Sequence, residues 1–163
     1  MELPIVYRFR VKTLGGTGRF GVADTIGDQT GARALAAGDW DGDGDLDLAV
    51  SNFSTNNVRI LENDPPGVFK AIDTLSGQLG PRALAAGDWD GDGDLDLAVA
   101  IFSTNNVSIL ENDPPGIFTA IDTISGQNGA SALAVGDWDG DGDLDLAVAN
   151  FSTNNVTILE NAP

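Results

Sequence analysis

An aspartate-rich string of nine residues occurs three times at a fixed interval of 49: Asp39-Trp40-Asp41-Gly42-Asp43-Gly44-Asp45-Leu46-Asp47, then Asp88 to Asp96, then Asp137 to Asp145. The same apolar, strand-like run follows each copy. A chain that repeats at this period folds as neighbouring copies of one small unit, with its core only where the copies meet. Five carboxylates in nine residues repel one another, so a compact loop of this composition calls for a cation inside it. The competing reading is a solvated acidic turn that binds nothing.

The chain has no His and no Cys, which removes the usual ligands of zinc, copper and iron. Magnesium holds on to its water, whereas calcium accepts about six to eight oxygens in flexible geometry. Calcium is therefore the expected ion, one per repeat and three per chain. In the first copy Asp39, Asp41 and Asp43 occupy loop positions 1, 3 and 5, and Gly44 lets the backbone turn sharply. Asp45 would give its main-chain carbonyl, and Asp47 would close the shell. Asp88, Asp90, Asp92, Asp94 and Asp96 are the counterparts in the second copy, and Asp137, Asp139, Asp141, Asp143 and Asp145 in the third. An EF-hand would place a bidentate Glu at position 12 and helices on both sides. Position 12 here is Val50, Val99 or Val148, inside a run that alternates like a strand entering a sheet.

The repeat extends beyond the loops. Phe20, Phe69 and Phe118 correspond, as do Leu35, Leu84 and Leu133, and Phe-Ser-Thr-Asn-Asn-Val recurs from Phe53, Phe102 and Phe151. Units drawn at 18–66, 67–115 and 116–163 each hold four strand candidates, in the first copy Arg19 to Ile26, Arg33 to Gly38, Leu46 to Asn52 and Val58 to Glu62. Gly-rich, Asp-rich and Asn-Asn turns separate them. The Asp-Pro-Pro-Gly stretches at Asp64 and Asp113 are expected to end one unit and begin the next. No segment reads as a helix. Four short strands per repeat of this length predict an all-β fold of three four-stranded, propeller-type blades.

The stretch Gly-Asp-Trp-Asp-Gly-Asp-Gly-Asp-Leu-Asp-Leu-Ala-Val, followed by Asn-Asn-Val-Xaa-Ile-Leu, resembles the FG-GAP/VCBS repeat, and the likeness covers residues 18–163. The resemblance implies calcium-binding blades like those of integrin alpha-chain propellers and of many bacterial surface proteins and lectins. It also implies that the aspartates named above are the ligands. The count departs from the family, because rings close with about four to eight blades and this chain carries three copies.

Three blades leave a flat face and an edge at each end, and exposed edges pair with other chains. Assembly with copies of itself is expected, either as a closed six-bladed dimer or as an open polymer. Residues 1–17 favour this too. Pro4 to Lys12 alternates with period two, with Ile5, Tyr7, Phe9 and Val11 on one face and Arg8, Arg10 and Lys12 on the other. This basic segment beside an acidic body suits insertion into a neighbouring subunit. The alternative is closure of the chain's own edge.

Net charge is −17, which argues against nucleic acid and anionic membranes as partners. No apolar run is long enough to span a bilayer, and Met1-Glu2-Leu3 opens no recognisable leader. Weak, carboxylate-rich calcium sites suit the outside of a cell, where such modules bind at roughly 10⁻⁴ to 10⁻³ M. The expected location is extracellular or at the cell surface. Glycosylation-type sequons begin at Asn52, Asn106, Asn150 and Asn155; read otherwise they are plain polar turns. Trp40, Trp89 and Trp138 at loop position 2 are read chiefly as filler between blades, with sugar stacking as the alternative. Phe20, Phe53 and their equivalents are core candidates.

Catalysis has no support, since no His or Cys is present and the Ser residues lie in turns without an evident base. Two functions remain. One is a calcium-rigidified array that assembles into an extracellular fibre or surface structure; the other is an adhesin- or lectin-type module that recognises glycans or a protein.

Overall fold

The computed structural model describes residues 21–161, so the arm proposed at 1–17 lies outside the described residues. Among those described there are eleven strands and no helix. The strands are β1 Ala32–Gly38, β2 Asp47–Asn52, β3 Asn57–Asn63, β4 Phe69–Ser76, β5 Pro81–Gly87, β6 Asp96–Ile101, β7 Asn106–Asn112, β8 Phe118–Ser125, β9 Ala130–Gly136, β10 Asp145–Asn150 and β11 Asn155–Leu159. They form three antiparallel sheets in the orders β1-β2-β3-β4, β5-β6-β7-β8 and β9-β10-β11.

Within each sheet the connections follow from turn chemistry. The Asp loop joins the first two strands, with Gly42 and Gly44 at φ 80 and 95, conformations that a side chain would strain. The next turn places Asn56, Asn105 and Asn154 at φ 55, 60 and 53, where Asn is the best tolerated residue after Gly. The Asp-Pro-Pro-Gly stretch does not separate sheets. It is the hairpin loop between β3 and β4, where the Val68 amide donates to the Pro65 carbonyl at 2.9 Å and the Gly67 amide to Asn63 Oδ1 at 2.6 Å. The chain passes between sheets at 77–80 and 126–129, where Gly77, Gly80, Gly126 and Gly129 all have positive φ. The sheets are thus offset from the sequence repeats, each four-stranded sheet taking its last strand from the start of the following repeat.

That offset explains two departures from expectation. Of the strand anticipated at Arg19 to Ile26, the described part, 21–26, is not in a strand, and Val22 is 90% exposed. Its counterparts β4 and β8 pair with the preceding β3 and β7, and the matching partner here, 8–14, lies outside the described residues. Among the described residues the third sheet has three strands instead of the four expected, since in this phase the counterpart of β4 and β8 corresponds to positions 167–174.

Period-two alternation gives the middle sheet two buried faces. Toward the first sheet, Leu84, Leu97, Val99, Ile101 and Leu110 pack with Trp40, Ala49, Val58 and Ile60. Toward the third, Ala83, Ala85, Ala98, Val107 and Ile109 pack with Ala130, Leu146 and Val148. Each large aliphatic side chain fully buried in this way contributes about 1.5–3 kcal/mol. The two outer faces bear the same residue pattern without cover. Leu35 and Leu46 are 64% and 65% exposed on the first sheet, and Val156 and Ile158 are 65% and 47% exposed on the third.

Phe53, Phe102 and Phe151 do not enter these cores. They line one side of the stack, where the Arg33 guanidinium lies 4.8 Å from the Phe53 ring centroid and that of Arg82 4.4 Å from Phe102.

Candidate metal centre

Each Asp loop is shaped by its own backbone. In the first, Asp39 accepts from the amides of Gly42 at 2.9 Å and Gly44 at 3.0 Å. Asp41 accepts from Asp43, and Asp43 from Asp45. The second loop repeats this through Asp88, Asp90 and Asp92, and in the third Asp137, Asp139 and Asp141 accept from Gly140, Asp141 and Asp143. These bonds fold nine residues into a coil whose carboxylates converge. Asp39, Asp41 and Asp43 bring one oxygen each within 4.8 Å of the others, as do Asp88, Asp90 and Asp96, and Asp137, Asp139 and Asp145.

Positions 1 and 3 therefore converge in every copy. The third member is position 5 in the first loop and position 9 in the other two, and Asp45, Asp94 and Asp143 join none of the three groups. The donors are all carboxylate oxygens, which fits a hard divalent cation and not a soft one. Each triad could hold one metal ion, giving one per repeat.

The last aspartate of each loop has a second task that the sequence does not reveal. Asp47, Asp96 and Asp145 are buried and lie at the start of β2, β6 and β10. Asp47 accepts from the amides of Trp40 at 3.1 Å and Asn63 at 2.9 Å. Asp96 accepts from Trp89 and Asn112, and Asp145 from Trp138 and Asn161. One carboxylate thereby ties the loop to the third strand of its sheet. Burial raises the carboxyls of Asp47 and Asp96 above their ordinary value against the opposing pull of these amides. For Asp145, in the uncovered third loop, the amides of Asn161 and Trp138 prevail and lower it. Glu111, on β7, lies against Asp90; burial, then this neighbour, raise its carboxyl.

Asn63, Asn112 and Asn161 are functional residues missed in the sequence, although their recurrence after each Ile-Leu-Glu was a usable signal. Asn112 Nδ2 donates 3.0 Å to the Trp40 carbonyl in the preceding loop, and Asn161 Nδ2 donates 2.8 Å to that of Trp89. Asn63 has no earlier loop to reach among the described residues and bonds Leu46 instead. The first and second acidic loops are thus fastened to the sheet that follows them.

The tryptophans fill the gaps between sheets in proportion to their cover. Trp40 is fully buried, with Phe118 edge-on at 5.7 Å between centroids. Trp89 is half-buried, and Trp138, with no sheet over it, is 48% exposed. Gly38 makes room for the first indole, since a Cβ there would lie 3.1 Å from the Trp40 ring and 3.0 Å from Leu95.

The sequons divide by burial. Asn52 and Asn150 are buried, and their amide nitrogens donate to Gln29 and Asn57 and to Gln127 and Thr157. In the folded sheet both nitrogens are occupied by these bonds, as the polar-turn reading of these two positions expects. Asn155 is exposed and Asn106 half-exposed.

A model of the FG-GAP-like repeat matches residues 39–99 and 88–148, together more than half of the chain. No curated protein matches it. Among solved structures, a functionally unknown protein from Desulfotomaculum acetoxidans DSM 771 is similar, with a TM-score of 0.53 and 21% identity over 80% of this chain. The present chain spans 41% of that protein's length, and the likeness is one of fold. Three copies of a loop-and-strand unit with convergent carboxylates, matched in two overlapping stretches, place this chain in the FG-GAP-like repeat family.

Proposed function

We propose that the chain is a non-catalytic, calcium-binding repeat protein that assembles with copies of itself outside the cell, end face to end face, into a fibre or surface structure. One observation carries the reading. The residues left exposed on the two outer faces are the 49-residue counterparts of those buried in the two internal interfaces. Leu35 and Leu46 match the buried or partly buried Leu84 and Leu95, and Val156 and Ile158 match Val107 and Ile109. A front face that fits a back face twice inside the chain fits it again between chains. Such contacts are heterologous and give a ring where the rotation closes and a filament where it does not.

Calcium is the cation that the all-oxygen triads favour. Bound at all three loops it would raise the net charge of −17 by six and offset the repulsion among the carboxylates of each loop. The family resemblance supports the same ion and an extracellular setting. No helix among the described residues is long and apolar enough to cross a membrane.

Light scattering in about 1 mM calcium, the range of extracellular sites, tests the assembly. Two-chain particles indicate a closed ring and large polydisperse ones an open polymer, whereas a stable monomer overturns self-assembly. Chelation tests the metal, since removing calcium should lower Tm substantially and an unchanged melt would refute the assignment. A glycan-binding module is the second reading, favoured by the half-exposed Trp138 indole beside the third acidic loop. Sugar-dependent quenching of its fluorescence in the monomer would support that function.

A further inference from the structure

The free edge of β11 and a cavity beside it share a common cause. In the first two sheets the third strand pairs on its outer side with a fourth, β3 with β4 and β7 with β8. β11 is the counterpart of β3 and β7, and among the described residues its outer edge pairs with nothing. Next to it, between the second and third sheets, lies a cavity of about 530 Å³ walled by Trp89, Leu144, Leu159 and Asn161. One interface earlier, the matching space beside Trp40 and Asn112 is filled by Phe118, the first residue of a fourth strand.

The chain itself carries a segment of the required kind. Phe20-Gly21-Val22-Ala23-Asp24-Thr25-Ile26-Gly27 aligns without a gap on Phe69-Lys70-Ala71-Ile72-Asp73-Thr74-Leu75-Ser76 of β4 and on Phe118-Thr119-Ala120-Ile121-Asp122-Thr123-Ile124-Ser125 of β8. Its described part, 21–27, pairs with no strand. We infer that residues 20–27 of a second copy add to the outer edge of β11 as the missing fourth strand, with Phe20 of that copy filling the cavity beside Trp89.

The register follows from β3 and β4, where Arg59 opposes Thr74 and Leu61 opposes Ala71. Thr25 of the donor then faces Thr157 of the acceptor, and Val22 faces Leu159. The geometry continues into the next sheet. Four residues, 77–80, carry the chain from β4 to β5, and four, 126–129, from β8 to β9. Four more, 28–31, lie between the donated segment and β1. The donor's first sheet is thereby set over the acceptor's third sheet, as β5 is set over the first.

A hydrogen bond marks each internal step. Asn56 Oδ1 accepts from the Gly80 amide at 2.9 Å, and Asn105 Oδ1 from that of Gly129 at 2.8 Å. Their counterparts at the ends, Asn154 and Gly31, are both described, and no such bond joins them. Gly31 has the same left-handed backbone as Gly80 and Gly129, at φ 75 against 66 and 70. In the donated arrangement the Gly31 amide of one copy donates to Asn154 of the next.

This inference rests on the assembly reading and names its linking element, so the test separates the two. The chain has no Cys, which gives a clean background for cross-linking. Thr25→Cys and Thr157→Cys are made as separate proteins and mixed under mild oxidation in calcium, after thiol labelling shows both to be reactive. Strand donation predicts a disulfide-linked heterodimer, because directly opposed strand residues lie within disulfide reach. A control pair, Thr25→Cys with Thr153→Cys, should link at least tenfold less. Assembly by light scattering without the specific link overturns strand donation and leaves stacking standing. A loss of all assembly in the wild-type chain overturns both. In the Thr25→Cys/Thr157→Cys double variant, a cross-link that stays within one chain also overturns the proposal, because the segment would then close its own molecule.

Discussion

At the residue scale, the aspartates of one loop do different work although they look alike in the sequence. Asp96 is buried and accepts from two amides, whereas Asp92 is exposed and accepts only the Asp94 amide at 2.8 Å. Changing Asp96→Asn leaves one oxygen for two donors and sets an NH₂ against the other. In chelator this should cost about 1–3 kcal/mol, the penalty for an unsatisfied buried group. Asp92→Asn keeps its acceptor oxygen and removes a charge from a crowded loop, so in chelator its effect should stay within about 0.5 kcal/mol. Urea unfolding midpoints without calcium distinguish them, and equal losses would refute the division of labour. Spacing made legible that the aspartates at loop positions 1 and 3 converge in every copy, together with one more carboxylate. It could not show which carboxylate is buried, because that depends on Asn63, Asn112 and Asn161 arriving from another strand.

At the scale of elements, the period of the repeat was legible and its phase was not. A 49-residue period fits any choice of first strand, and Pro-Pro-Gly serves a hairpin as well as a boundary. Pairing decided the matter: Phe69–Ser76 bonds to the strand before it. The Asn turns allow the step between sheets to be measured. Asn105 and Asn154 share a left-handed backbone, φ 60 and 53, and Ala at either position bears a similar strain of roughly 1–2 kcal/mol. Only Asn105 also holds the following sheet, through Gly129. In dilute, unassembled protein Asn105→Ala should therefore cost about 0.5–1.5 kcal/mol more than Asn154→Ala, the net worth of one hydrogen bond. Denaturant titration of the two variants checks the difference, and equal costs would mean that this bond does not fasten the sheets.

For the whole molecule, the polarity of the stack decides what mixtures of variants will do. Leu35 lies on the outer face of the first sheet and Val156 on that of the third, 64% and 65% exposed, so a charge at either should leave the isolated fold within about 0.5 kcal/mol of wild type. In assembly each would place an unpaired carboxylate in an apolar interface, at several kcal/mol. Leu35→Asp should then fail to assemble alone, and so should Val156→Asp. Their defects differ, however, because the first retains a working back face and the second a working front face. Mixed one to one, they should form heterodimers and stop there, since the only remaining faces are the blocked ones. A symmetric contact of one face with its own copy predicts another outcome: blocking that face would abolish association in one variant, and the other would still dimerise alone. Analytical ultracentrifugation of each variant and of the mixture separates these cases. A heterodimer that appears only on mixing would establish front-to-back stacking, and it requires the two faces to be complementary, as the interfaces on either side of the middle sheet already are.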